Sequence, residues 1–139
     1  MGQQQLLLLV LGIVIVGLAV VVGIQAFGEN QKKANADALV NDAVRIASDA
    51  QAWRLKPAAF GGGANLKLKD ADLVKLGYAS PYSNLNGTFA LTTAGNGLKI
   101  TGTSTSPANT VEVIVCGTSP SSIVTAVNAA ATAPSTCNG

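Results

Sequence analysis

The sequence predicts an α+β protein: a long N-terminal helix, apolar in its first half and amphipathic in its second, packed on a small antiparallel β-sheet head. Three observations predict it. Residues 6–24 form a run of nineteen without one polar side chain. Residues 29–55 contain neither Pro nor Gly and repeat apolar residues at helical spacing. Residues 88–116 then alternate β-branched and polar residues around an Asn-Gly pair. On this reading the chain divides into an apolar helix half (1–28), an amphipathic helix half (29–57) and a β-rich head (58–139).

Fifteen of residues 6–24 are Leu, Ile or Val, and the rest are Gly12, Gly17, Gly23 and Ala19. At roughly −0.3 to −0.6 kcal/mol for each Leu, Ile or Val, bilayer insertion is favoured by about 5 to 9 kcal/mol. The length matches a hydrocarbon core of about 30 Å. A cleaved secretory signal would need a basic n-region, a shorter apolar run and a small-x-small site. Residues 1–5 carry no Lys or Arg, and Ile24-Gln25-Ala26 is a poor cleavage site. Two readings remain: a single-span anchor, or a helix that waits in the membrane and then packs in a polymer core.

The second half favours the latter. Leu39, Ala43, Ile46, Ala50 and Trp53 follow at spacings of 4, 3, 4 and 3, which places them on one helical face. Val40, Val44 and Ala47 widen that stripe. Asp37, Asn41, Asp42, Arg45, Ser48, Asp49, Gln51 and Arg54 fall mostly on the other side. Asp49 lies four residues after Arg45, within reach across one turn. The two halves are expected to form one helix of about 50 residues, roughly 75–80 Å long. Pro57 ends it, because the residue before a proline is pushed out of the α region.

In the head, Gly61 to Gly63 read as a flexible exit loop. They lack the GK[ST] ending of a phosphate cradle. Residues 70–76 read as a short helix with Asp70 as cap and Gly77 as stop. Strands are expected at 88–93, 98–103 and 110–116, the first two joined by a hairpin at Asn96-Gly97. Residues 121–128 fit either a strand or a helical turn. So small a sheet needs a cover, and the helix stripe supplies it, with Trp53 as the expected centre of the contact.

Several function classes are excluded or disfavoured. The chain has 139 residues, enough for one modest domain, with 12% charged residues and a net charge of +2. That is no electrostatic footprint for nucleic acid, and Lys67, Lys69, Lys75 and Lys99 make only a thin basic patch. With no histidine, the commonest general base and nitrogen metal ligand are missing. Asp37, Asp42 and Asp49 spread along a helix, and Asp70 and Asp72 suit capping. No enzyme activity, metal or cofactor is expected.

In this pattern the chain resembles the type IV pilins and related pilin-like filament subunits. The resemblance implies that residues 6–24 are the polymerising half, with Leu6, Gly12, Gly17, Ala19, Gly23 and Phe27 packing in a filament core. It implies that residues 29–56 lie under the head and that Cys116 and Cys137 close a C-terminal loop. Taken alone, the two cysteines fit one disulfide in an oxidising compartment or two buried thiols. Implied partners are copies of the chain itself, the inner membrane before assembly, and pilus assembly machinery. The implied end state is an extracellular filament on a prokaryotic cell surface. The alternative is a membrane-anchored adhesive or binding domain that does not polymerise.

Two departures from the family concern the first residues. Family precursors usually carry a basic leader ending in Gly. Gly2 matches that Gly, but Met1-Gly2 holds no basic residue. The family's early glutamate falls on Gln5 counted from Met1, or on Leu7 counted after Gly2. We expect Gln3, Gln4 and Gln5 to form a neutral polar collar in its place, since an amide costs less to desolvate than a carboxylate. Lys32, Lys33 and Arg45 all follow the apolar run, which by charge alone favours a cytoplasmic head. The cysteine pair and the Thr/Ser/Asn-rich composition favour an extracellular one, the orientation adopted here. Asn86-Gly87-Thr88 is a glycosylation acceptor sequence.

Overall fold

A computed structural model describes residues 2–132 and Cys137. Met1, one half of the expected processing site, lies outside the described residues. The chain divides into two compact units, Met1–Lys33 and Ala34–Gly139.

Helix α1 spans Gly2–Leu55. It is the one helix among the described residues long and apolar enough to cross a membrane. In the first unit its described residues are exposed throughout. In the second unit the same helix has a buried face: Ala36, Leu39, Ala43, Ile46, Ala47, Ala50 and Trp53. Alanine at four of these seven positions lets the sheet approach the helix backbone closely, and Leu39, Ile46 and Trp53 fill the gaps.

The sheet has five antiparallel strands in sequence order: β1 (Tyr82–Ser83), β2 (Thr88–Ala94), β3 (Gly97–Thr105), β4 (Ala108–Val115) and β5 (Ile123–Val127). Register is fixed by side-chain alternation, since a slip of one residue would turn the apolar set outward. Ile100 sits opposite Leu91 and Val113. Phe89, Leu98, Ile100, Val111, Val113 and Val115 face the helix stripe and join it in one buried cluster. Burying a Leu, Ile or Phe of this kind contributes roughly 1.5–3 kcal/mol.

Within residues 121–128 the strand is Ile123–Val127, and a 3₁₀ turn at Pro120–Ser122 leads into it. The short helix expected at 70–76 does not form. A 3₁₀ turn occupies Leu68–Asp70, Ala71 is extended, and turns follow. Leu68, Ala71 and Leu73 are all buried. Their spacing of three and two cannot be met on one face of an α-helix, so burial overrides propensity. The backbone N–H of Lys75 donates to Asp72 Oδ1 at 2.7 Å, so Asp72 rather than Asp70 caps the second turn. Gly77 does end it, in the left-handed region at φ 86°.

Trp53 is buried at the C-terminal end of the stripe rather than its centre. Its ring packs on Gly63, where a Cβ would come within 2.5 Å of the indole. The Lys75 ammonium lies 5.9 Å from the ring centroid. The loop expected to be a flexible exit is therefore shaped by close contact. Arg54 reinforces it by donating to the carbonyls of Gly63 and Ala64 at 3.2 and 2.7 Å.

Candidate functional site

Two surfaces carry the chemistry of this chain: the apolar segment of the first unit and the fastened head of the second. In the first, all fifteen Leu, Ile and Val side chains between Leu6 and Ile24 are more than half exposed. Phe27 is also exposed, as are Gln3, Gln4 and Gln5 in the first turns of α1. A Cβ added at Gly12, Gly17 or Gly23 would meet nothing within 4 Å. These glycines are therefore open notches rather than packing requirements of the folded chain. At Gly12 the notch is apolar, bordered by Leu8, Leu9, Ile13 and Val16. Ala19 lies on the same exposed helix, and Gly2 is its first residue.

In the second unit, Leu39, Ala43, Ile46, Ala50 and Trp53 all meet the sheet's cluster. Beside them runs a polar line made almost wholly of amides. Asp42 Oδ2 accepts from Asn84 Nδ2 at 2.9 Å and from Asn86 Nδ2 at 2.7 Å. Asn84 Oδ1 accepts the backbone N–H groups of Asn86 and Gly87. Asn35 donates to the Asn86 carbonyl at 3.0 Å and accepts from Asn109 Nδ2 at 2.9 Å. Asn128 Nδ2 in turn donates to Asn109 Oδ1 at 3.1 Å. The line ties α1 to the loop before β2, to β4 and to the residue after β5. Sequence reading missed it, although Asn35, Leu39 and Asp42 share one helical edge at spacings of four and three. The acceptor asparagine of the glycosylation sequence, Asn86, is thus half-buried with its amide nitrogen already bound to Asp42.

Asp49 does not pair with Arg45. Its carboxylate accepts from the Tyr78 hydroxyl instead. Burial of the phenol, then that hydrogen bond and the carboxylate's charge, push the Tyr78 pKa up to about 12. The Tyr78 ring also meets that of Tyr82 at a tilt, 4.8 Å between ring centroids, and Tyr82 meets Phe89 in the same way at 5.6 Å.

Cys116 and Cys137 form a disulfide. It closes a loop of about twenty residues, worth roughly 3 kcal/mol by chain-entropy arithmetic. The Cys137 sulfur lies against Gly97, where a Cβ would stand 2.5 Å from it, so a side chain there would collide with the bridge. On the sheet face away from the helix, Glu112 pairs with Lys99 at 2.7 Å and accepts the Ala131 N–H at 2.7 Å. The Lys99 ammonium, then the Ala131 N–H, hold the Glu112 carboxyl below its usual pKa.

The described residues contain no group of three or more His, Cys, Asp or Glu able to hold a metal ion. No protein-family model, curated protein or solved structure matches the chain.

Proposed function

We propose that this chain is a structural, non-enzymatic subunit of an extracellular type IV pilus-like filament. It sits in the membrane through residues 6–24 before assembly and polymerises through the same segment. The observation that carries this reading is a contrast along α1. Leu39, Ile46 and Trp53 are no more than 6% exposed, while residues 6–24 bury none of their Leu, Ile or Val against the chain itself. The first half is left for lipid or for other copies. Lipid tails are as apolar as leucine, so the advantage of a helix bundle must come from close packing. The notches at Gly12, Gly17, Ala19 and Gly23 suit that contact. The partners are further copies of this chain, the membrane before assembly and the pilus assembly machinery. No cofactor and no nucleic acid enter the reading.

Replacing two of the notches, Gly12→Leu with Gly17→Leu, separates insertion from assembly. The added leucines favour the bilayer, so membrane-fraction yield is expected to hold while filaments vanish from electron micrographs of sheared cell-surface material. Wild-type protein that is abundant in membranes yet never yields filaments would assign the chain to an anchored adhesive or binding head.

A further inference from the structure

Among the described residues, the outer edge of β5 has no hydrogen-bonding partner. Cys116 N–H donates to Ser122 O at 3.0 Å and Asn128 N–H to Thr110 O at 2.7 Å, so Ser122 and Asn128 bond toward β4. With the β4–β5 register, Val124 and Ala126 do the same. The N–H and C=O groups of Ile123, Thr125 and Val127 therefore point away from the sheet, and no described residue hydrogen-bonds to them. Proteins usually blunt such an edge with lysine, proline or a bulge. Residues 121–132 contain no charge and no proline. The opposite edge is different: β1 is two residues long, and Asp72, Leu73, Ser80 and Pro81 border Ala90 and Leu91 beside it.

We propose that β5 pairs with β5 of a second copy, antiparallel, about a twofold axis through Thr125. The sequence Ile-Val-Thr-Ala-Val is self-complementary in that register. Thr125 meets its own counterpart, Ile123 meets Val127, and Val124 meets Ala126. Every outward backbone group finds a partner, giving about six hydrogen bonds between copies. The cross-strand pairs are Thr–Thr, Ile–Val and Val–Ala; the first two are of the kind that stabilises such ladders. Val127, 45% exposed, gains cover from the partner's Ile123. A twofold contact closes after two copies. It therefore cannot repeat along a filament whose subunits all point one way. If the chain polymerises as proposed above, this contact bridges neighbouring filaments; the dimer itself does not rest on that reading.

The test uses the full chain in detergent micelles. Thr125→Cys should oxidise to a disulfide-linked dimer, because hydrogen-bonded antiparallel partners stand about 5.5 Å apart at Cα, within disulfide reach. Thr103→Cys, also exposed but on the internal strand β3, should crosslink far more slowly. Thr125→Lys brings like charges together at the axis and should weaken the dimer roughly tenfold or more in light-scattering mass measurements. Equal crosslinking at both cysteines, or a dimer unaffected by Thr125→Lys, would overturn the proposal, as would a monomeric wild type. All three measurements are independent of filament formation.

Discussion

At Tyr78 a single hydroxyl joins the loop of the head to α1 by donating to Asp49. Because its pKa is raised from 10.0 to about 12, the folded state favours the neutral phenol. The stability this contributes is complete below pH 10, falls as the unfolded chain begins to ionise, and is gone once pH passes the folded value. Alkaline unfolding followed by circular dichroism should therefore show a steeper loss between about pH 10 and 12 in the wild type than in Tyr78→Phe. Such pairings were not legible in the sequence. Arg45 stands at the right spacing for Asp49, yet the carboxylate goes to a phenol 29 positions away. Gly61 to Gly63 look like slack from composition alone. Only the position of the Trp53 ring reveals that a side chain at Gly63 has no room.

The elements were far more legible, because burial imposes periods on them. The stripe from Leu39 to Trp53 has helical spacing, and Val111, Val113 and Val115 alternate as a half-buried strand must. Sequence does not decide β5, because its five residues are apolar or β-branched on both faces and show no clean alternation. The turn region after Leu68 misled, since Asp and Gly at helix-cap spacing outweighed the three buried residues that forbid a helix there. The two halves of α1 should respond oppositely to one chemical change. Leu39→Ala is expected to cost about 2–5 kcal/mol of head stability, since its side chain is wholly buried. Leu9→Ala, exposed in its own unit, should leave the melting of the head unchanged. Thermal unfolding of both variants in the same detergent checks the contrast.

For the molecule as a whole, charge is scarce where assembly is proposed. No side chain before Glu29 carries a formal charge. Screening by salt therefore has nothing to act on in the proposed filament core. Filaments should keep their length and diameter at high salt and neutral pH, measured by electron microscopy, and dissolution by salt alone would contradict a core built from residues 6–24. The strand order has a further consequence of a kinetic kind. Every strand of the head pairs with its neighbour in sequence. The sheet can therefore grow hairpin by hairpin as the chain becomes available, with small loop-closure cost at each step. Longer-range tasks follow: seating the sheet on the helix, docking the turn at Leu68 to Ala71 against the sheet, and joining Cys137 to Cys116. A chain whose apolar start enters a membrane first would thus spend little time with unpaired strands exposed.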